Sequence, residues 1–402
     1  VLFRSLLRGI SLYFVDAKGG GINALKNIPV NLKEVSPHFL LTVPALSGNL
    51  MAKITDGVHS KGGFIRALFN KGLNAAIKRN QNGYKRAPFF TQLYYLFPYL
   101  MANMLIFGKI RKIFGKNIQF CVGGGALLGI RQQRFFYGIG VPVYQGYGLT
   151  EAAPIISANN PQVHKLGTSG RVFPTVQCRI VDENRQDLPS GQRGEIAVKG
   201  DNVMKGYYKN PEETARTIEN GWLYTGDLGY MDNDNFLVVI GREKALLIAE
   251  DGEKFSPEEI EQTIENNGEF IYQTLIYNDH KKYSSALVTL HTERLRQYLQ
   301  EREITEPEKI LKIIRDSFYA FRDIPGIREI CPDKWTPSTF QVLEEPFTEQ
   351  NRLLNSTMKK VRFRIINTHK KILNYMYTGE GNKYLNAWNR EVVGKLFGHG
   401  EK

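Results

Sequence analysis

The feature that most constrains the fold of this chain is the octapeptide at residues 144–151, Tyr-Gln-Gly-Tyr-Gly-Leu-Thr-Glu. Residues 141–144 have the apolar character of a buried strand end, and Gly146 and Gly148 allow the backbone to turn tightly after it. An aromatic ring, a hydroxyl and a carboxylate therefore follow directly on a strand. Such groups can stack on a base, donate to a phosphate oxygen and hold a hard cation such as Mg²⁺. An ordinary strand-to-helix turn capped by Thr150 explains the octapeptide equally well.

The chain before the octapeptide alternates between strand-like and helix-like segments. Residues 39–43 and 118–122 predict strands, and residues 24–28 predict a helix. The second strand leads into three glycines at 123–125, whose spacing to Gly129 does not match the dinucleotide-binding fingerprint. We therefore predict an α/β fold without a Rossmann cofactor site.

The chain after the octapeptide has a different pattern. Residues 177–181, 194–199 and 236–240 predict short strands, because alternating apolar residues are bounded there by Asp, Asn, Gly and Pro turns. These strands indicate a β-rich subdomain over about residues 165–240.

Two helix starts are marked by capping sequences. Asn210 and Ser256 each stand before Pro-Glu-Glu, which places a capping side chain, a proline at the first helical position and a glutamate in the first turn. The second sequence predicts a helix over residues 256–266, followed by strands over 274–277 and 285–290.

The net charge of +13 originates in one block of the sequence. Residues 57–150 contain no Asp or Glu, and their Lys and Arg residues account for the whole excess. A block of one sign inside a folded domain indicates a surface that faces something anionic, such as phospholipid headgroups, cofactor phosphates or nucleic acid. A basic face that only aids solubility is the alternative.

Within this block, residues 87–108 carry no charge and are long enough to cross a bilayer. Pro98 argues instead for two helical pieces, buried or interfacial. Basic residues flank them at 85–86 and 109–116, and aromatic rings and cations both favour a membrane surface. We expect a cytoplasmic protein, either in peripheral contact with the inner face of a membrane or with these aromatic residues filling its core.

The three cysteines are far apart in the sequence, at Cys121, Cys178 and Cys331. No CxxC or Cys/His spacing is present, so neither a disulfide framework nor a zinc site is supported. A reducing compartment agrees with this pattern.

Three later residues offer groups that bind nucleotides. Asp227, in the glycine-flanked segment 222–229, can accept hydrogen bonds from both hydroxyls of a ribose. Arg242, at the end of a predicted strand, can reach ribose or phosphate, and Lys359 offers an ammonium group for developing negative charge. Each also has a simpler explanation, as a turn-stabilising Asp, a surface Arg and a solvated Lys.

Taken together and in this order, these motifs resemble the adenylate-forming ligase superfamily over about residues 36–371, and they look most like its long-chain fatty acid–CoA ligases. The resemblance implies a large N-terminal α/β domain over residues 1–243, which includes the β-rich subdomain, and a small mobile α+β domain over 244–402 that carries the catalytic lysine. The segments that carry the resemblance are 144–151, 194–207, 224–229, 241–242 and 255–261.

The resemblance also implies a role for the residues around the octapeptide. Gly124 and Gly125 would line an adenine pocket in which Tyr147 stacks on the base. Thr150 would contact phosphate as part of the catalytic apparatus. Glu151 would hold Mg²⁺.

For the later part of the chain, the resemblance implies ribose binding by Asp227 and ribose or phosphate binding by Arg242. Lys359 would be the adenylating lysine, and Lys360 takes its place if the register differs by one residue. Lys244 would be the hinge between the domains.

The function implied by the resemblance is activation of a long-chain fatty acid by ATP and Mg²⁺ to an acyl-adenylate, followed by transfer to CoA. Three alternatives stay open: a ligase for an aryl acid or with acyl carrier protein as acceptor, a non-catalytic adenylate-binding protein, and, last in rank, a nucleic-acid-binding protein. No RNA- or DNA-binding motif is present, so we expect no nucleic-acid partner.

The chain departs from the superfamily pattern before Tyr144. The superfamily grips the β- and γ-phosphates with a Ser/Thr/Gly-rich loop that ends in lysine, and no such loop precedes Tyr144. Because the first residue is Val1, we expect a fragment that lacks the amino-terminal phosphate loop and is impaired in the ATP half-reaction.

Overall fold

The computed structural model of the chain describes residues 8–14, 21–126, 128–242, 245–324, 327, 331–355 and 359–398. Helices and strands are mixed throughout, which confirms the predicted α/β class. Contacts divide the chain into unit 1, formed by Val1–Val176 and Asp234–Leu237, and unit 2, formed by Gln177–Asn233 and Val238–Lys402. The predicted boundary between residues 243 and 244 lies outside the described residues and stays a prediction.

Unit 1 is organised on a five-stranded sheet with the order β1-β2-β3-β4-β5. The first three strands are parallel, and β4 and β5 are antiparallel to their neighbours. Thr42 pairs with Gly123, and Gly123 pairs with Gln145, so the carboxyl ends of the parallel strands lie at one edge. The strands are β1 Phe39–Thr42, β2 Phe120–Gly123, β3 Val143–Gly148, β4 Ile155–Ala158 and β5 Arg171–Val172.

Helices surround this sheet and share one apolar core with it. Phe69, Phe107, Phe114 and Phe136 are almost completely buried in that core. The predicted helix over residues 24–28 is confirmed inside a longer one. The α-helices are Gly21–Val35, Pro44–His59, Gly63–Asn80, Phe89–Tyr94, Leu96–Ala102, Gly108–Arg111 and Ile130–Ile139, with a π-helix at Asn103–Phe107 and 3₁₀ turns at Lys112–Phe114 and Thr150–Ala152.

Unit 2 begins with most of the β-rich region predicted over residues 165–240, whereas residues 165–176 and 234–237 belong to unit 1. Its first sheet has the order β10-β9-β7-β6, with β8 paired to β9. The helix Pro211–Thr217 is capped as predicted, because the Asn210 side chain accepts the Glu213 N–H at 3.2 Å. The strands are β6 Gln177–Val181, β7 Gly194–Lys199, β8 Ile218–Glu219, β9 Trp222–Met231 and β10 Leu237–Arg242.

The second predicted cap is wrong in its chemistry, although the helix begins where expected. The helix Pro257–Asn267 starts after Ser256, but the Ser256 side chain caps no helical N–H. Its hydroxyl is turned toward Gly241, where an added Cβ would lie 2.5 Å from Ser256 Oγ. The Ser256 hydroxyl therefore packs against the neighbouring chain segment and does not cap the helix.

The rest of unit 2 is built on a three-stranded sheet with the order β13-β15-β16. β13 is antiparallel to β15, and β15 is parallel to β16. The strands are β11 Leu247–Ala249, β12 Lys254–Phe255, β13 Ile271–Tyr277, β14 Asp279–Lys281, β15 Ser285–Leu290 and β16 Thr339–Val342, and the α-helices after Pro257–Asn267 are Thr292–Gln300, Pro307–Phe318, Arg362–Thr368, Lys370–Tyr375 and Ala387–Phe397.

Strand β16 is an edge strand whose outer backbone groups are bound by a buried amide. Asn389 Oδ1 accepts the Val342 N–H at 2.8 Å, and Asn389 Nδ2 donates to the carbonyls of Phe340 and Tyr384 at 3.0 and 2.9 Å. The Asn389 side chain is fully buried. It thus satisfies backbone groups that have no strand to pair with.

We expect Asn389→Leu to lower the free energy of unfolding by about 2–4 kcal/mol, because it leaves a buried N–H and two buried carbonyls without partners. Urea unfolding followed by circular dichroism measures this loss. Asn382→Leu is the matched control, since Asn382 is exposed. Equal stability of the two variants would contradict the role given to Asn389.

Candidate active site

The glycine loop after β2 presents open backbone at the carboxyl edge of the unit 1 sheet. The Gly124 N–H donates to the Thr42 carbonyl at 3.3 Å, which ties the loop to β1. Gly125 has φ +83°, a conformation that glycine adopts without strain. Among the residues that the structure describes, no heavy atom lies within 4 Å of a Cβ added at Gly124 or Gly125. A ligand can therefore approach this backbone closely.

Tyr147, Thr150 and Glu151 follow at the same edge. Tyr147 is half-buried near the end of β3, and the parallel register sets this strand end beside the loop after β2. Thr150 is exposed and Glu151 is half-buried, and both lie in the 3₁₀ turn Thr150–Ala152. The structure thus brings together all five residues that were assigned to adenine, phosphate and Mg²⁺.

The turn after β3 excludes the alternative of a helix capped by Thr150. Thr150 lies inside the 3₁₀ turn, Leu149 occupies the cap position without a side-chain hydrogen bond, and strand β4 follows instead of a helix. Gly148 is needed because an added Cβ would lie 1.7 Å from the Pro154 carbonyl oxygen. Gly148 therefore allows the close approach of two backbone segments after β3. Ala153 takes φ +43° in the same turn.

Gln145 is a positioning residue that the sequence reasoning missed. Its buried side chain accepts the Leu128 N–H at 3.0 Å and donates to Ser169 Oγ at 3.3 Å. The Gln145 carbonyl accepts the Asn159 N–H at 2.9 Å. One residue therefore fixes the end of the glycine loop, strand β3 and the loop after β4. A polar residue inside a strand that otherwise reads as buried was the signal that could have revealed it.

In unit 2, Asp227 is presented by a β-bulge in strand β9. Glu195 pairs with Leu228 and Ala197 pairs with Tyr224, so β9 contains two more residues than β7 over this stretch. Bulges of this kind redirect side chains and are frequent beside active sites. Asp227 therefore lies in an interruption of a long strand, and not in the simple turn that its flanking glycines suggested.

The bulge is held by two side chains that sequence reasoning did not assign. The Glu195 carboxylate accepts the Gly226 N–H at 2.8 Å. Thr225 Oγ1 donates to the Ile196 carbonyl at 2.7 Å and accepts the Asp227 N–H at 3.1 Å. These contacts cross from β9 to β7 and fix the direction of Asp227.

Asp227 and Arg242 form an ion pair within unit 2. Arg242 Nε lies 3.0 Å from Asp227 Oδ1, and the two residues belong to the neighbouring strands β10 and β9. The Asp227 side chain is 9% exposed and that of Arg242 is 63% exposed. The structure thus brings the two predicted ribose-binding residues into contact, with the cation at the surface.

Lys359 and its neighbour Lys360 have very different environments. Lys359 is exposed, and its backbone N–H and carbonyl are bound by the side chain and N–H of Asn355, each at 2.9 Å. Lys360 Nζ is turned inward, at 3.1 Å from Glu261 and 2.7 Å from Glu265, and it also donates to the Thr274 carbonyl. Only Lys359 presents its ammonium group to solvent.

Lys360 belongs to an ionic network that closes the outer edge of strand β13. Glu265 and Glu261 accept the N–H groups of Thr274 and Ile276 at 2.6 and 2.7 Å. Lys360 and Arg362 donate to the carbonyls of the same two residues. Arg362 also contacts Glu261 at 2.6 Å. Two carboxylates and two cations thus replace a missing neighbouring strand.

The network changes the pKa of its buried acids in opposite directions. Burial disfavours the charge on Glu261, but Arg362 and Lys360 outweigh it and lower the pKa of that carboxyl. For Glu265, burial dominates over Lys360 and raises the pKa. The net effect on Lys360 is a raised pKa, because Glu261 and Glu265 outweigh its burial. Lys360 therefore stays charged as a structural cation.

A family model described as AMP-binding enzyme matches residues 1–208, more than half of the 402-residue chain. The chain belongs to the AMP-binding enzyme family. The long-chain-fatty-acid–CoA ligase FadD15 of Mycobacterium bovis is 30% identical over 273 residues, which cover 65% of this chain and 42% of that relative. The human long-chain-fatty-acid–CoA ligase ACSBG1 is 28% identical over 382 residues, which cover 88% of this chain and 51% of that relative.

The fold of this chain is similar to that of solved structures. The anthranilate CoA ligase AuaEII, in complex with anthranoyl-AMP, has a TM-score of 0.57 and 16% identity, over 88% of this chain and 53% of that chain. At this identity the likeness shows the fold alone. The chain spans about half the length of the curated relatives that it matches.

The hinge prediction at Lys244, and Thr357 and Met358 beside Lys359, lie outside the described residues. Among the residues that the structure describes, no group of three or more His, Cys, Asp or Glu could hold a metal ion. Binding of Mg²⁺ by Glu151 stays a prediction.

The neighbouring lysines of this AMP-binding enzyme provide a matched test. Lys360→Met should lower the free energy of unfolding by about 3 kcal/mol, because it leaves two buried carboxylates without their shared cation. Lys359→Met should leave it unchanged, because that side chain is exposed. Chemical denaturation of both variants measures the difference. A loss of stability in Lys359→Met alone would reverse the two assignments.

Proposed function

We propose that this protein activates a long-chain fatty acid with ATP and transfers the acyl group to CoA. The observation that carries the proposal is the open backbone at Gly124 and Gly125 beside Tyr147, with Thr150 and Glu151 at the same edge of a sheet. An aromatic face, uncovered backbone, a hydroxyl and a carboxylate are what adenine, phosphate and Mg²⁺ require. Membership in the AMP-binding enzymes supports the same ligand.

In the first step of the proposed reaction, a carboxylate oxygen of the fatty acid attacks the α-phosphorus of ATP. The bond from that phosphorus to the bridging oxygen breaks, and pyrophosphate leaves with the electron pair. Thr150 contacts phosphate, while Glu151 holds the Mg²⁺ that neutralises phosphate charge. Catalysis of this step rests on positioning and on charge neutralisation.

Lys359 provides the second source of positive charge in this proposal. Its ammonium group is exposed, and the backbone hydrogen bonds to Asn355 and the adjacent anchored Lys360 fix the origin of its side chain. A long flexible side chain on a fixed base can reach phosphate oxygens as charge develops on them. Lys360 is unsuited to this role, because its own charge is already bound by Glu261 and Glu265.

In the second step, the sulfur of CoA attacks the acyl carbon and AMP leaves. No new charge develops on a polyphosphate in this step, so the ammonium group of Lys359 is not required. The superfamily resemblance further implies that the small domain moves between the two steps. The choice of a long-chain fatty acid is supported by the two ligases to which the chain is similar.

We expect Lys359→Ala, in the full-length gene product, to lower the rate of adenylate formation by about 100-fold or more, because charge on the phosphates develops only in that step. Transfer to CoA from a supplied acyl-adenylate should change less than about threefold. Pyrophosphate exchange and single-turnover thioester formation measure the two steps separately. Exposed Lys383→Ala is the control. Equal losses in both steps would remove Lys359 from this role.

Asp227→Asn should weaken ATP binding by about 1–3 kcal/mol, because an amide offers one acceptor where the carboxylate offers two. Isothermal titration with ATP measures the change. Since Arg242 is largely exposed, the lost ion pair should cost little stability, and an unchanged melting temperature checks this. Exposed Asp201→Asn is the control. Unchanged affinity would leave Asp227 a structural residue of the bulge.

The same assays separate the proposed reaction from its alternatives. Hexadecanoate should support pyrophosphate exchange, and CoA should accept the acyl group. Exchange with benzoate but not with hexadecanoate would indicate a ligase for aryl acids. Transfer to acyl carrier protein but not to CoA would identify acyl carrier protein as the acceptor of the acyl group. Nucleotide binding without any exchange would indicate a non-catalytic adenylate-binding protein.

A further inference from the structure

One face of unit 1 exposes aromatic and aliphatic side chains over a long helical stretch. Phe89, Phe90, Tyr94, Phe97 and Met104 are each between 68% and 80% exposed. With Leu93 and Leu100 they recur every three to four residues, so they follow one side of the helices between Phe89 and Phe107. We call this set the apolar face. A soluble surface rarely exposes so many large apolar side chains side by side.

The opposite side of the same stretch is part of the unit 1 core. Ala102, Ile106, Phe107, Ile110 and Phe114 are buried at 5% exposure or less. The stretch Phe89–Phe114 is long and apolar enough to cross a membrane by length and composition alone. It cannot do so while its second half packs in a folded core, so it lies along the surface of unit 1.

Close packing against the helix Gly63–Asn80 holds the apolar face in place. A Cβ added at Gly72 would lie 2.0 Å from Ala102 Cβ, so only glycine fits at this contact. The Arg79 guanidinium lies 4.9 Å from the centre of the Tyr99 ring. Pro98 is accommodated because it falls in the first turn of the helix Leu96–Ala102, where its missing N–H is not needed.

Cations continue the apolar face toward the end of the stretch. Lys109 and Lys112 lie in the last helical turns of the stretch, and Lys116 follows directly after Gly115. All three are exposed, and no ion pair involves them among the described residues. Lys85 and Arg86 are exposed at the other end, where Lys85 lies 3.8 Å from Asp234. Residues 57–150, which include the apolar face, contain no Asp or Glu.

Arg111 does not belong to this exposed set, although the sequence grouped it with the lysines. Its guanidinium donates to Asn103 Oδ1 at 2.8 Å and to the Ile139 carbonyl at 2.9 Å. It therefore ties the stretch to the end of the helix Ile130–Ile139. Any test of surface charge has to leave Arg111 unchanged.

We propose that the apolar face and the three lysines dock this protein on an anionic phospholipid surface, with the helical stretch parallel to the membrane. Aromatic rings partition to the interface between water and hydrocarbon, and each cation near an anionic leaflet adds attraction. The alternative that all these aromatic residues fill the core is wrong for the exposed part. Docking would place the protein peripherally on the inner face of a membrane, where a fatty substrate is concentrated.

The charge pattern favours lipid over other occupants of the apolar face. A second copy would bring two identical basic surfaces together, and residues 57–150 supply no acidic residues to offset them. Nucleic acid would satisfy the cations, but it would leave most of the aliphatic side chains of the apolar face without apolar contact. An anionic bilayer matches both features of this surface.

Sedimentation with phospholipid vesicles tests the proposal. The protein should bind vesicles of phosphatidylcholine with 30% phosphatidylserine at 50 mM salt, with binding that falls as salt rises and is weak on phosphatidylcholine alone. In the variant Phe97→Trp, the fluorescence emission of the introduced tryptophan should shift to the blue when vesicles are added. Lipids with brominated chains should quench that emission. Adsorption through charge alone would not cause that quenching.

Two variants and a matched control separate charge from apolar insertion. Changing Lys109, Lys112 and Lys116 to Gln should lower the vesicle partition coefficient by about 100-fold at low salt. Phe90→Ala with Phe97→Ala should weaken binding without changing its salt dependence. The same charge change at exposed Lys282, Lys312 and Lys383 of unit 2 should have little effect. Melting temperatures should stay the same, because all the changed side chains are exposed.

Three results would overturn the proposal: no binding to anionic vesicles at low salt, equal effects of the two lysine sets, or an unquenched tryptophan on bound protein. Light scattering provides a fourth such result. A dimer in solution that dissociates when Phe90 and Phe97 are both changed to Ala would identify a second copy of the chain as the occupant of the apolar face. The docking proposal does not depend on the proposed reaction. A variant that loses vesicle binding but forms the adenylate normally, or one that binds vesicles but forms no adenylate, distinguishes the docking proposal from the proposed reaction.

Discussion

The constraint on which much of this structure depends is that every buried strand edge must find hydrogen-bond partners. In unit 2, Glu261, Glu265, Lys360 and Arg362 bind the outer N–H and carbonyl groups of β13. Asn389 does the same for β16 at the other edge. The sheet can therefore stay small without exposing unpaired backbone.

This solution links stability to the site. The segment that closes the edge of β13 also carries Lys359, so the ionic network fixes the backbone from which that side chain extends. In unit 1 a buried polar side chain also has two roles, because Gln145 supports both the glycine loop and strand β3. Buried polar side chains are costly unless fully bonded, and here the bonded groups position the residues that we propose to face a ligand.

The two surfaces of the helical stretch Phe89–Phe114 illustrate a different balance. One side supplies core residues such as Phe107 and Phe114, and the other leaves Phe90 and Phe97 in solvent. Composition alone treats both sides alike, because both are apolar. Burial distinguishes them, and the cations beside the exposed side are the reason that we propose lipid as its partner.

The sequence by itself determined the α/β class, most of the strands and the stretches that form the edge around Gly124, Gly125, Tyr147 and Glu151, because local periodicity and glycine placement act over a few residues. Only the tertiary structure decided the contacts between distant segments. The bulge at Asp227 needs Glu195 on another strand, the Ser256 hydroxyl turns toward Gly241, and Lys360 is distinguished from Lys359 by Glu261 and Glu265 about a hundred residues away. Such long-range pairings follow from packing, and no local pattern encodes them.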